Sequence, residues 1–404
     1  MFKRILFGLA LVLLGGCGPG ALLKSLAVEP ASISPRATSP NAVAKIDYAL
    51  GRDGVVSIYL LDPQNKRFVV RENLERAAGD YEIQFGGVVN DRMLTDGQYQ
   101  VVVEAKDARG DSQSLRQPLT ITNADTTLPE LQNLTVAPAV FTPNRDGVDD
   151  RVTIRYYLTK PAKVRVYLTD PARKNQYPIE EKKVTRVTDE NGWLVPGSHE
   201  YDYDGGIDRD APPPDDGDYT VVAISQDQVG NVVREERPLK IQDGGVPRAT
   251  IVGAGVEFAP SVVQLGQPLY FTVTVKNVGT VPIRTKGPEP GTAYTTSENY
   301  NSKGECCYEE PGVWRVGVDF EGNSSGRLYP YRWQLGRTGD LKRVEVRGQV
   351  FYYLMPNQAA MITGTIRIVD KPPLVNPHYW IGLVQEQVRI VEDRVGYETI
   401  TVGY

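Results

Sequence analysis

Ile46, Tyr48, Leu50, Ile58, Tyr59 and the pair Asp62 and Pro63 recur, at one constant offset, as Ile154, Tyr156, Leu158, Val166, Tyr167, Asp170 and Pro171. A chain that repeats its own strand spacing is confined to copies of one module, because each copy must bury the same positions. The later half of the pattern follows suit. Phe85, Gly86 and Gly87 answer to Tyr203, Gly205 and Gly206, and Asp96, Gly97 and Tyr99 to Asp216, Gly217 and Tyr219. Asp107 and Gly110 answer to Asp227 and Gly230, and Pro118, Leu119 and Ile121 to Pro238, Leu239 and Ile241. Only the middle differs in length, around Lys174 to Gly197 and Pro212 to Pro214, as loops between matched strands are free to do.

The matched segments have strand periodicity. Tyr99, Val101, Val103 and Ala105 alternate with Gln98, Gln100, Val102 and Glu104, so one face enters a core and the other stays largely solvated. Asp-Gly pairs before these strands and Asp-x-x-Gly turns after them supply the tight reversals. With 39 Gly, 29 Pro and 22 Tyr and no long helical period, the chain reads as all-β, with tandem immunoglobulin-like β-sandwiches over 41–123 and 124–243. Asp243 to Pro247 reads as a linker. Beyond it Leu269, Phe271, Val273 and Val275 alternate, and a larger sandwich is expected over 248–404, with a Gly- and Tyr-rich insertion near 282–335.

Phe141, Pro143, Asn144, Asp146, Gly147 and Asp150, followed by Tyr203 and Gly205, by Asp216, Gly217 and Tyr219, and by Asp227, Gly230 and Asn231, resemble the Ig-like module of the flagellar hook-capping protein and related surface modules. Tyr203 stands where that pattern usually has Trp, and the first copy lacks the Pro-Asn-x-Asp-Gly turn. Lys276, Asn277, Val278 and Gly279, with Leu354 to Gln358 feeding a long strand, resemble the bacterial cell-adhesion-related Ig-like domain. Both resemblances imply fold and surface display, and neither carries a catalytic residue.

Lys3 and Arg4 precede an apolar run, Ile5 to Leu14, too short to span a bilayer, so 1–16 reads as a signal peptide. Leu14, Gly15, Gly16 and Cys17 resemble a bacterial lipobox, which implies acylation of Cys17 and attachment to a membrane through the lipid. Residues 17–40, with Pro19, Pro30, Pro35 and Pro40, read as a lipid-anchored spacer. The expected address is the bacterial cell envelope, on its extracellular face. A net charge of −5 argues against a nucleic-acid partner.

Four groups of residues could carry chemistry. Asn144, Asp146, Asp149 and Asp150 offer hard oxygens suited to calcium, though without EF-hand spacing; the competing reading is that they cap a turn before a strand. Asp202, Asp204, Asp208 and Asp210 read as a solvated acidic face. Cys306 and Cys307 form either a vicinal disulfide or two thiols on a loop, and nothing near them suggests zinc. Trp314, Tyr329, Tyr331 and Trp333 either stack on sugar rings or roof the core, the alternation of Val316, Val318 and Phe320 favouring the roof. His199 and His378 are the only histidines, and no nucleophile motif accompanies them. These features predict no cofactor other than calcium. They predict a non-catalytic structural or adhesive protein, whose stalk of two repeats presents the last domain to another envelope protein or a polysaccharide. Sugar binding through the aromatics is the alternative, and an envelope-bound hydrolase ranks behind both.

Overall fold

The computed structural model describes residues 20–180, 188–189 and 191–403. The expected signal peptide, 1–16, and the expected lipidation site, Cys17, lie outside the described residues. The rest is an all-β chain of three sandwiches, each around its own apolar core.

In the first, the strands Leu23–Glu29, Ala44–Leu50 and Gly79–Phe85 form a three-stranded sheet. It faces a five-stranded sheet ordered Ser32–Ile33, Ser112–Ile121, Gly97–Lys106, Gly54–Leu61, Arg67–Arg76. The second sandwich repeats this order with Leu131–Ala137, Val152–Leu158 and Gly197–Tyr203 against Val140–Phe141, Val232–Ile241, Gly217–Gln226, Lys163–Thr169 and Gln176–Ile179. The repeated apolar positions point inward in both: Ile46, Tyr48 and Leu50 in one core, Ile154, Tyr156 and Leu158 in the other.

One correction concerns the spacer. Residues 23–33 belong to the first sandwich: Leu26 lies opposite Tyr48 and Val28 opposite Ile46, and then Ser32–Ile33 crosses to run parallel to Thr120–Ile121. Leu23, Leu26, Val28 and Ile33 are buried, and that apolar surface outweighs the segment's proline-rich composition. Pro30 sits between the two strands, where the ladder needs no N–H. The second sandwich makes the same crossing at Pro138 and the third at Pro260; all three X–Pro peptides are cis.

The third sandwich packs a four-stranded sheet against a seven-stranded one. The stretch 282–335 is therefore more than an insertion. Ile283–Thr285, Trp314–Phe320 and Tyr331–Gln334 are strands of the larger sheet, and Ala293–Thr295 runs parallel along the edge of the smaller. Tyr331 and Trp333 alternate inward opposite Val318 and Val316. Trp333 meets Phe271 and Tyr294 edge-on at 4.6 and 5.0 Å, and its indole N–H donates to the Thr292 carbonyl at 2.9 Å. Gly364 makes the room: a Cβ there would lie 2.6 Å from the Trp333 ring.

Candidate functional site

Where the second sandwich meets the third, the turn Asn144 to Asp150 is first tied to itself. Asn144 Oδ1 accepts from Asp146 N at 3.1 Å, and Asp146 Oδ1 from Val148 N at 2.8 Å. The Asp150 carboxylate accepts from Asn144 N at 3.0 Å and from Gly147 N. These Asx caps let the backbone pass through left-handed conformations at Arg145, Gly147 and Asp149. The turn-cap reading of this motif is thus what the chain does.

The turn is also a plug. Tyr353 Oη donates to Asp146 Oδ2 at 2.8 Å, Arg284 Nη1 to the Asp146 carbonyl at 2.8 Å, and Gln385 Nε2 to the Arg145 carbonyl at 3.2 Å. Arg347 pairs with Asp149, and Arg389 with Asp210 at 3.2 Å. Backbones touch as well: a Cβ on Gly147 would lie 2.4 Å from the Pro311 carbonyl oxygen, and one on Gly312 would lie 2.3 Å from that of Arg145. Only glycine allows this approach. Asp146 is 5% exposed. Burial, then the neighbouring Asp150, pushes its carboxyl up to about 7, against the Tyr353 hydrogen bond and the Arg284 cation. Burial raises Asp150 too, and burial followed by Asp146 raises the Tyr353 hydroxyl.

The calcium reading of Asn144, Asp146, Asp149 and Asp150 fits this geometry poorly. The oxygens that would ligate the ion already accept from backbone N–H groups, from Tyr353 and from Arg347. Among the described residues no group of three or more His, Cys, Asp or Glu is placed to hold a metal. The second acidic group is likewise occupied. Asp204 caps Gly206 N and Asp208 N, Asp202 pairs with Arg151 at 2.9 Å, and Asp210 holds Arg145 at 2.6 Å. Beside the plug lies an open cleft of about 570 Å³, walled by Arg145, Asp149, Arg151 and Asp208 from one domain and Pro311 and Gln387 from the other.

Behind the junction is a charged cluster that sequence reasoning missed. Arg315, fully buried, pairs with Glu386 at 3.2 Å, and Glu386 pairs also with Arg332. Arg315 further donates to the carbonyls of Lys286, Cys307 and Tyr308 at 2.6, 2.8 and 3.0 Å. Burial lowers the Arg315 pKa and raises that of Glu386. Cys306 and Cys307 are joined as a vicinal disulfide, with Cα atoms 3.8 Å apart. The four proposed ligand-stacking aromatics are withdrawn from solvent: Trp314, Tyr329 and Tyr331 are 1% exposed and Trp333 not at all. Tyr329 packs with Trp380 and Val384, on Gly317 and Gly382. No ring face of the four is left for a sugar.

Of the histidines, His199 stacks on Tyr156 with its Nε2 2.9 Å from the Val195 carbonyl, and His378 pairs with Glu321 and stacks on Tyr397. The first junction has its own lock. Buried Asn231 accepts from Met93 N at 2.8 Å and donates to the Asp125 carbonyl at 2.9 Å, Val232 N donates to the Asp91 carbonyl at 3.0 Å, and Lys160 bridges Asp125 and Asp227. Among the described residues no helix is long and apolar enough to cross a membrane.

No family model matches the chain. No curated protein matches it either. Solved structures align only loosely. A calcium-stabilised adhesin with which an Antarctic bacterium binds ice is 12% identical, covering 92% of this chain and 71% of that one, at a TM-score of 0.25. A 1.5-MDa bacterial ice-binding adhesin is 11% identical, covering 94% and 97%, at 0.23. SGBP-B of the Bacteroides ovatus mixed-linkage glucan utilization locus, in complex with a heptasaccharide, is 15% identical, covering 92% and 66%, at 0.16. Superpositions this loose bear on neither fold nor function.

Proposed function

We propose that this chain is a non-catalytic surface protein, lipid-anchored through Cys17 to the bacterial envelope, in which two Ig-like sandwiches carry a third and hold it at a fixed attitude to a partner. The observation that carries this reading is the closure of both junctions by buried polar side chains, Asn231 at the first and Asp146 with Tyr353 at the second. Buried hydrogen bonds are costly to leave half-made, so such junctions hold one geometry rather than hinge freely. A display role needs that stiffness. The partner is another envelope protein or a polysaccharide, and a polysaccharide would have to be held by groups other than Trp314, Tyr329, Tyr331 and Trp333.

Spin labels placed in the first and third sandwiches test the stiffness by pulsed distance measurement. One narrow distance is expected, and a broad distribution in the unmodified protein would remove the basis for the proposal. The anchor is tested separately: the Cys17→Ser variant should leave the detergent phase for the aqueous phase on Triton X-114 partitioning. If the unmodified protein also stays aqueous, the lipid anchor is lost from the reading.

A further inference from the structure

We infer that Cys306–Cys307 is a thiol-exchange site whose oxidation state sets how firmly the third sandwich grips the second. Cys306 is exposed, whereas Cys307 is fully buried. A small thiol can therefore reach one sulfur and not the other.

The short segment 304–312 links this pair to the junction at both its ends. At its start, Gly304 is left-handed with φ 98°, and a single helical turn, Glu305–Cys307, presents the carbonyls of Cys307 and Tyr308 to Arg315. Arg315 is held in turn by Glu386, which starts the turn leading to Arg389 and its pair with Asp210. At its end, Glu310 holds Arg284 and Lys286, Pro311 lies against Gly147, and Gly312 lies against Arg145 and Asp146. The Gly312 N–H donates to the Glu386 carbonyl at 3.0 Å. The surface on which the acidic turn rests is thus the same nine-residue segment whose other end the disulfide closes.

The chemistry balances with a thiol as the reductant. A thiolate attacks Cys306 Sγ, the S–S bond breaks, and Cys307 leaves as a thiolate that takes a proton as it relaxes, while Arg315 bonds the carbonyl of that same residue. A second thiolate then attacks the mixed disulfide, forming the oxidised reagent and freeing Cys306 as a thiol. Two electrons and two protons pass to the protein. Two sulfur atoms no longer bonded need more room than a bonded pair; Cys307 has no exposed surface to move into, so the exposed Cys306 side must take up the separation. The turn Glu305–Cys307 loses the bond that closes it, and its hold on the Cys307 and Tyr308 carbonyls at Arg315 loosens as Cys306 moves outward. A buried guanidinium losing acceptors is strongly disfavoured, so the rearrangement spreads along 304–312 to the plug.

The inference rests on the closed junction described above, and amide exchange by mass spectrometry can separate the two. Native protein is treated with dithiothreitol, which supplies both thiols and leaves as its cyclic disulfide, and iodoacetamide adducts report reduction. Exchange in 142–150 and in 304–312 should rise together on the order of tenfold, the factor for one lost charged hydrogen bond. In Cys306→Ser/Cys307→Ser both segments should already exchange fast and ignore dithiothreitol. Two adducts with unchanged exchange at 142–150 would overturn the coupling, and no adducts under native conditions would overturn the site itself. Should the double variant not fold, the alkylated natural protein gives the same reading. Gly147→Ala run in parallel tests the junction alone: if it leaves exchange at 142–150 unchanged, the closed junction fails rather than the redox step.

Discussion

Asp146 makes the second junction sensitive to pH, in the direction opposite to an ordinary surface carboxylate. Its carboxyl rises from an ordinary 3.8 to about 7 when the turn is buried under Tyr353. Between those values the closed junction keeps a proton that the open chain has lost. The Asp146 contribution to closure is therefore full below about pH 4, falls as pH rises towards about 7, and is gone above that. At about 1.4 kcal/mol per pH unit the whole swing is about 4 kcal/mol, an upper bound because Asp150 shares the site. The groups facing Asp146 are Asp150 on its own turn and Arg284 and Tyr353 from the third sandwich, with Glu310 behind Arg284. Glu309 and Glu310 have pKa values lowered from an ordinary 4.5, so what they contribute is lost only as pH falls below that, outside a comparison of about pH 5 with about pH 8. Calorimetry at about pH 5 and about pH 8 should show the junction's transition falling by up to about 10 °C in the natural protein. Asp146→Asn removes that proton and should lessen the slope, leaving the part that Asp150 carries. An equal slope in the two proteins would refute the assignment, whatever their absolute stabilities.

Other perturbations test the remaining contacts. Gly147→Ala places a Cβ 2.4 Å from the Pro311 carbonyl oxygen at φ 82°, a conformation that alone costs about 1–2 kcal/mol, and should speed proteolysis of the 243–247 linker while leaving each core intact. Asn231→Ala leaves Met93 N and the Asp125 carbonyl without a partner and should weaken the first junction by about 1–3 kcal/mol, read as a separate melting step for the first sandwich. Trp333→Ala empties the centre of the third core and should lower its unfolding free energy by about 3–5 kcal/mol in urea titration. Millimolar calcium should leave the melting temperature unchanged, since Asp146 and Asp150 are spent on protein donors; a rise abolished by Asp146→Asn would restore the metal reading.

The alternation of Tyr99, Val101, Val103 and Ala105 reads as a strand, and those four side chains do enter the core, while Val102 on the opposite face is buried as well. Two other segments misled, for different reasons. Residues 17–40 read as spacer because Pro19, Pro30, Pro35 and Pro40 punctuate a stretch rich in Ser and Ala. Yet Leu26, Val28 and Pro30 stand to Leu134, Val136 and Pro138 as Ile46 stands to Ile154, and extending the repeat backwards finds the first strand. At Arg315 no such signal exists. It alternates with Trp314 and Val316 and would ordinarily face water, but segment 304–312 covers that second face, and the strand is buried on both sides. Its partners Glu386 and Cys307 are brought to it only by tertiary folding. The same limit hid the role of Asp146: its turn chemistry is local and legible, while Tyr353 is supplied by another domain.

The two junctions obey one rule. In the first sandwich the segment after Phe85, Gly86 and Gly87 is the small hairpin Val88–Met93, and it docks on the turn Asp227 to Val232, which joins the last two strands of the second sandwich. In the second sandwich the matching segment after Tyr203, Gly205 and Gly206 contains Asp208 and Asp210, and Asp210 reaches Arg389, in the hairpin joining the long strands His378–Gln385 and Arg389–Thr399 of the third. Each module thus grips the last hairpin of its successor with the same loop, and the longer loop of the second copy serves a larger receiving domain. The receiving turn of the first sandwich, Asp107 to Asp111, has no sandwich before it among the described residues. There Asp111 stands in place of Asn231 and Arg52 in place of Lys160, and Arg52 pairs with both Asp107 and Asp111. An aspartate cannot donate as Asn231 does to the Asp125 carbonyl, so this end satisfies its own charges with Arg52 and lacks the side-chain donor through which the second module takes hold of the linker before it.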